Sequence, residues 1–154
     1  MTADSIAFLE VFVVFVALWS CVCLLLSYLS GWQRLADQFR SDGSATEERV
    51  WFCQARMRYG VHYGNIVNFG FSGAGLRISV FPLFRVGHPP LEIPWNEVRV
   101  YPPVKYLVFF TFTQAALGRA AAIPMTIYSP KAQRILSEMH ATTIAGYGQP
   151  PYHA

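Results

Sequence analysis

The residues able to do chemistry are few, and their spacing is unhelpful to most chemistries. The cysteines are Cys21, Cys23 and Cys53, too few and too scattered for a disulfide framework or a standard zinc site. On a helix, residues two apart point about 200° from each other at ~3.6 residues per turn, so Cys21 and Cys23 do not converge on one metal. Cys53 falls on the apolar phase of an alternating segment and reads as a small core residue. His62, His88, His140 and His153 share no ligand spacing. His140, near the end of a predicted helix, suits that helix's dipole, and His88 sits in a Pro-rich turn. Ser72-Gly73-Ala74-Gly75 lacks both the lysine and the following helix of a phosphate loop, so it predicts a tight hairpin. No nucleophile elbow, carboxylate pair or metal signature occurs. An enzyme would need the fold to bring His62 or His88 beside Glu92 or Glu97 in a deep pocket. The expectation is a non-catalytic protein with no cofactor and no metal.

Charge is the other handle. All 12 Lys and Arg follow Gly31, against 7 acidic residues in the same stretch, a formal net charge of +5. Arg56 and Arg58 share one face of a strand by their spacing of two, while Arg77, Arg85, Arg99 and Lys105 punctuate later strands and turns. Near an anionic leaflet each basic group contributes about 1 kcal/mol of attraction. The same residues also fit an ordinary solvated surface. They form no dense run, which argues against nucleic acid as a partner.

What positions these groups begins with an apolar segment. The chain has 154 residues, 53% hydrophobic and only 14% charged, and from Ile6 to Leu29 the only charged side chain is Glu10. Those 24 residues would make about 36 Å of helix at ~1.5 Å per residue, enough to cross a ~30 Å hydrocarbon core with some tilt. A basic leader and an A-x-A site are lacking and the apolar run is long, so a retained anchor is expected rather than a cleaved signal. Leu18-Trp19-Ser20-Cys21 has the outline of a bacterial lipoprotein cleavage box, but Trp fits it poorly and the apolar run continues past Cys21. Arg34, Arg40 and Arg49 follow the segment and no basic residue precedes it, so the positive-inside rule predicts an N-terminus outside and the rest in the cytoplasm. Glu10 reads as an interfacial residue or as a contact with another membrane subunit.

Trp32, Leu35 and Phe39 recur at i, i+3 and i+7, predicting a short amphipathic helix. It either lies along the membrane, with Trp32 marking the interface, or packs on the domain. Residues 41–48 read as a linker, closing a juxtamembrane segment over 31–48. From Arg49 the period becomes two: Trp51, Cys53, Ala55, Met57 and Tyr59 alternate with Phe52, Gln54, Arg56 and Arg58. Further strands are predicted at Ile66–Phe71, Leu76–Phe81, Leu91–Trp95 running on toward Val100 and Tyr101, Tyr106–Thr113 and Ile123–Tyr128, separated by Gly- and Pro-rich turns. Ser129 as N-cap, Pro130 at the first position and the stripe Ala132, Ile135, Leu136, Met139 predict one helix to His140. The expected domain covers 49–141, with a fraying tail over 142–154.

The fold class is therefore α+β, mainly β: an N-terminal transmembrane helix over 1–30, then an antiparallel barrel or sandwich closed by a C-terminal helix. Six or seven short strands plus that helix resemble the pleckstrin-homology-like superfold, including GRAM-type and bacterial PH-like modules. The strings Gly75-Leu76-Arg77-Ile78-Ser79-Val80-Phe81-Pro82-Leu83-Phe84-Arg85 and Pro89-Pro90-Leu91-Glu92-Ile93-Pro94-Trp95-Asn96-Glu97-Val98 are similar to small bacterial single-pass membrane proteins with such a domain. The resemblance covers about residues 49–140 and implies a fold rather than an activity. It implies lipid headgroups or protein partners as the ligand class.

Val108-Phe109-Phe110-Thr111-Phe112 and the stretch around Phe81, Leu83 and Phe84 are apolar on consecutive positions, so some of this surface must face a thicker core, a partner or a membrane. Two readings follow. In the first, the chain is an accessory or scaffold subunit of a larger bacterial inner-membrane assembly, contacting other integral membrane subunits through Trp19, Trp51, Phe81, Phe84, Trp95 and Phe110. In the second, it is a module that binds anionic lipid through Trp32, Arg34, Arg40, Arg56, Arg58, Arg77 and Arg85.

Overall fold

The computed structural model describes residues 3–43, 46–106, 110–119 and 123–146. Helix α1 covers Ala3–Ser30 and carries the whole apolar segment; it is long and apolar enough to cross a membrane, and almost none of it is buried by protein. Gly31 ends it with φ +82°, a conformation that L side chains rarely adopt, and a Cβ there would stand 2.5 Å from Ile123 Cδ1. The chain then turns into α2, Trp32–Phe39.

Eight antiparallel strands follow among the described residues: β1 Glu48–Arg56, β2 His62–Phe71, β3 Gly75–Val80, β4 Leu91–Pro94, β5 Val98–Val100, β6 Val104–Tyr106, β7 Phe110–Leu117 and β8 Ile123–Ile127. Their order is β4-β3-β2-β1-β8-β7-β5, with β6 added on β7, so the sheet curls into a nearly closed barrel. The interior is filled from both sides of the closure by Val67, Phe69, Leu76, Ile78, Leu91, Ile93, Leu117, Met125 and Ile127. Helix α3, Pro130–Gly146, lays Ala132, Ile135 and Leu136 onto this core.

The predicted elements are present with five physical corrections. The single strand expected over Tyr106–Thr113 is two antiparallel strands, β6 and β7, with Tyr106 paired to Phe110; a run that is apolar on consecutive positions has no break in period to mark the reversal. In β1 the alternation is interrupted: Phe52 takes φ 55°, the register against β2 shifts between Val50 and Cys53, and Trp51 and Phe52 both face out while Val50, Cys53, Ala55 and Met57 face in. Such a bulge adds one residue to the strand and turns the next side chain over; Asn68 Oδ1 accepts the freed Phe52 N–H at 3.0 Å. Tyr59, expected on the inner face, instead sits exposed in a turn, also at φ 55°. The strand expected from Leu91 through Val100 is broken by a single 3-10 turn at Trp95–Glu97, which separates β4 from β5. Finally, α3 continues past His140 to Gly146, so residues 142–146 are helix and 147–154 lie outside the described residues. Of the apolar run predicted at 108–112, Val108 and Phe109 also lie outside them.

Candidate functional site: an arginine-lined pocket beside the apolar helix

The register of the first four strands sets up the site. Arg49 on β1 pairs with Gly70 on β2, which pairs with Arg77 on β3, which pairs with Glu92 on β4. Two arginines thus stand two strand spacings apart, about 10 Å at ~4.8 Å per strand, with a glycine between them. Gly70 keeps that space low: a Cβ would lie 2.7 Å from Thr46 Cγ2 and 3.3 Å from Arg77 Cβ. Arg85, from the loop joining β3 to β4, completes the basic lining of a pocket of about 280 Å³ whose other walls include Trp51, Asn68, Ser79 and Pro82. Arg49 donates from Nε to Thr46 Oγ1, and its guanidinium carbon stands 5.9 Å from the Trp51 ring centre. Among the described residues, no carboxylate lines the pocket; Glu92, at the far end of the row, accepts a hydrogen bond from Ser41 Oγ at 2.9 Å. An open, cationic concavity with an aromatic wall suits an anionic group carrying several acceptor oxygens.

The pocket's lower lip is the β3–β4 loop, and that loop is laced to α1. Trp19 Nε1 donates to the Leu83 carbonyl at 3.3 Å, and its ring lies 5.2 Å from that of Phe84. Ser27 Oγ donates to the Gly87 carbonyl, which also takes Gln33 Nε2 at 2.8 Å. Gly87 packs so closely on α1 that a Cβ would lie 2.9 Å from Leu24 Cδ2. Trp32 Nε1 donates to the Pro89 carbonyl at 2.9 Å.

Behind the loop is a buried polar knot. His88 Nε2 lies 2.9 Å from Tyr63 Oη and its Nδ1 lies 3.0 Å from the Val86 carbonyl, while Tyr63 Oη is 2.8 Å from Ser30 Oγ. Trp32 meets the His88 ring edge-on at 5.1 Å. The His88 imidazole donates from Nδ1–H to the Val86 carbonyl, and the Tyr63 hydroxyl donates to Ser30 Oγ. Burial pushes the His88 pKa down, and burial pushes the Tyr63 phenol up to about 12. Burial likewise raises the Cys53 thiol, consistent with an inert core position.

No family model, curated protein or solved structure matches the chain. The reading of the site therefore rests on its own geometry.

The expected contact residues divide accordingly. Trp19 and Phe84 do meet, but they meet each other. Trp51 is exposed on the pocket wall, and Phe81 is exposed beside Phe52 at 6.3 Å between ring centres. Trp95 is not a surface residue: it is 5% exposed and its Nε1 donates to the Ser72 carbonyl at 2.8 Å, because the 3-10 turn folds it back over the hairpin. Trp32 is likewise no interfacial anchor; it is fully buried, since α2 packs on the domain instead of floating on a membrane. Phe110 is 70% exposed in a groove of about 630 Å³ shared with Gln54, Arg56, Tyr106, Phe112 and Tyr128.

Of the arginines expected to act together, Arg77 and Arg85 share the pocket. Arg56 lies in the Phe110 groove, Arg58 covers the Tyr59 ring at 4.5 Å, and Arg34 and Arg40 are exposed on and just after α2. His62 meets Tyr128 edge-on at 6.1 Å, Glu97 pairs with Arg119 at 3.8 Å, and His140 Nε2 donates to the Val98 carbonyl at 3.0 Å from within α3 rather than at its end.

Sequence reasoning missed Arg49 as a partner of Arg77, since only strand register aligns them across Gly70. It also missed the Ser30–Tyr63–His88 knot, whose members come from three separate elements.

Proposed function

We propose that the chain is a membrane-anchored binding module: α1 spans the bilayer and a PH-like barrel, held against the cytoplasmic leaflet, takes an anionic lipid headgroup between Arg49, Arg77 and Arg85. The observation that carries this is the alignment of Arg49, Gly70 and Arg77 across three strands, with Arg85 supplied by the loop that is fastened to α1. A pocket tied to the anchor's flank stands at the height of lipid phosphates, where its charge is of use. With about 1 kcal/mol per basic group, three arginines supply roughly 10²-fold preference for an anionic over a zwitterionic surface. The bonds from Ser27 to the Gly87 carbonyl and from Tyr63 to Ser30 also support retention of α1, because cutting it away would remove polar partners from the barrel. The positive flank after α1 supports the cytoplasmic side.

The test uses the full chain in nanodiscs of mixed composition, released for native mass spectrometry. Retention of phosphatidylglycerol over phosphatidylcholine, weakened by salt and lost in Arg49→Gln, Arg77→Gln and Arg85→Gln, is the expected result. Equal retention of both lipids in every variant overturns the reading.

A second reading, the scaffold subunit of a larger membrane assembly, is favoured by one observation: the aromatic groove around Phe110 and Tyr106 shares no lining residue with the arginine pocket. A photo-crosslinking residue at position 110 in native membranes would join one integral membrane protein in high yield under that reading. Capture of none rejects it.

A further inference from the structure

We infer that the β3–β4 loop is itself a membrane element, a short wedge that enters the hydrocarbon region beside α1 and presses Phe81, Leu83 and Val86 against acyl chains. The inference rests on the reading that α1 spans the bilayer, and follows from where along α1 the loop is attached.

Asp4 marks the outer limit of the apolar segment. From Asp4 to Trp19 the helix advances 15 residues, about 22 Å at ~1.5 Å each, short of a ~30 Å hydrocarbon core. The inner boundary of the core therefore lies beyond Trp19, by about 8 Å or roughly five residues, near Leu24; tilt moves it further still. Leu83, whose carbonyl takes the Trp19 indole proton, and Phe84, against the same ring, lie at Trp19's depth. Gly87, against Leu24 and Ser27, lies at the boundary. The loop is threaded along the helix from headgroup level inward.

Two independent features fit that placement. First, the loop's outward side chains are apolar: Phe81 is 42%, Leu83 62% and Val86 40% exposed, next to exposed Phe52 and Trp51. The loop meets α1 at Trp19, on a helix whose apolar side chains are mostly exposed. Arg85 is the one charged residue in the loop, and a long stem lets its guanidinium reach back to the headgroups, where it lines the arginine pocket. Second, irregular backbone at such depth needs partners for its polar groups, and many of this loop's groups have them within the chain. Phe81 N–H donates to Ile66, Phe84 N–H to Phe81, Arg85 N–H to Pro82 and His88 N–H to Arg85, all within 3.1 Å. Pro82 has no N–H to satisfy. The Leu83, Val86 and Gly87 carbonyls are taken by Trp19, His88 and the Ser27–Gln33 pair.

The test is depth measurement on the full chain in phosphatidylglycerol/phosphatidylcholine vesicles, with spin labels at Leu83→Cys, Val13→Cys and Asn96→Cys in a Cys21→Ser, Cys23→Ala, Cys53→Ala background. Position 13 should favour oxygen over a water-soluble nickel relaxant, position 96 the reverse, and position 83 should side with position 13 at a shallower depth. A label at 83 behaving like that at 96, while 13 stays in lipid, overturns the wedge and leaves the anchor standing. A label at 13 that is open to nickel overturns the anchor and the wedge with it. Should the cysteine-free background misfold, a photo-crosslinking residue at Leu83 in the otherwise native chain gives the same decision: acyl-chain adducts support the wedge, and adducts to protein alone, or none, reject it.

Discussion

Along the seam where α1 and α2 meet the β3–β4 loop, hydrogen bonds join residues more than fifty positions apart: Trp19 to Leu83, Ser27 to Gly87, Trp32 to Pro89 and Gln33 to Gly87. Each is a side-chain donor on a backbone carbonyl, so the loop's main chain is held in place by the helices. At the β6–β7 rim the picture is reversed: Tyr106 and Phe110 face each other across a two-strand ladder, are mostly exposed, and frame an open groove. The contrast separates two jobs. The seam fixes the attitude of the barrel relative to the helix, because its carbonyls have one acceptable set of donors. Among the described residues, the rim shows no such ties. If this division is right, changes at the seam act on folding, and changes at the rim leave folding alone.

The largest effect is expected at Trp32. Its ring is fully buried between Tyr63 and His88, and its N–H is committed to Pro89. Truncation leaves a cavity and an unpaired carbonyl, so Trp32→Ala should destabilise the barrel by about 3–5 kcal/mol, read as a large drop in the melting temperature of the detergent-solubilised chain. A loss below about 1 kcal/mol would mean that α2 is not part of the folded unit and would erase the contrast.

Gly87→Ala comes next. Its φ of +73° and the approach of Leu24 leave little room for a methyl group, and strained backbone of this kind costs about 1–3 kcal/mol. The same change at Gly60, whose φ is +75° but where a Cβ meets nothing within 4 Å, isolates the cost of backbone alone. The difference between the two melting shifts is then the contribution of contact with α1. Equal shifts would sever the seam from the helix.

A pH dependence sharpens the same comparison. The folded state disfavours the His88 imidazolium, so as pH falls below 6.5 the unfolded chain binds a proton that the folded chain refuses, and stability declines. The Tyr63 phenol acts at the other end: stability holds below pH 10 and is lost as pH rises toward 12. His88→Gln should flatten the acid limb and Tyr63→Phe the alkaline one, in chemical denaturation followed from pH 5 to 11. An acid limb unchanged in His88→Gln would place its origin outside the seam.

Much of this architecture was legible from residue pattern. Helices α1, α2 and α3 announce themselves through an unbroken apolar run and through i, i+3, i+4 stripes, and most strands through alternation and Gly/Pro punctuation. What stayed hidden has a common cause. The Phe52 bulge inverts Trp51 relative to Cys53, yet period-two reading assumes an unbroken pleat. Trp32 and Trp95 looked like interface residues because tryptophan suits both an interface and a core; the choice was made by the Pro89 and Ser72 carbonyls, distant in sequence. For the candidate site, Arg77 and Arg85 were visible as basic residues, but Arg49 joins them only through strand register over Gly70. Local pattern predicts elements; which side chains meet depends on pairings between them.

The smallest expected effect falls on the rim and is the most exposing of the division. Phe110 is 70% exposed, so replacing it by serine removes little buried surface and opens no cavity; such surface changes lie within about 0.5 kcal/mol. Phe110→Ser should therefore melt with the wild type while Trp32→Ala does not. Near-neutral stability alone fits any bare surface, so a second reading is needed: if the rim meets a partner, the serine variant should lose photo-crosslinking from neighbouring Tyr106 in native membranes while keeping headgroup retention at the arginine pocket. Loss of headgroup retention together with the crosslink would join the two regions into one surface, and a destabilisation above about 1 kcal/mol would put Phe110 among the residues that hold the barrel shut.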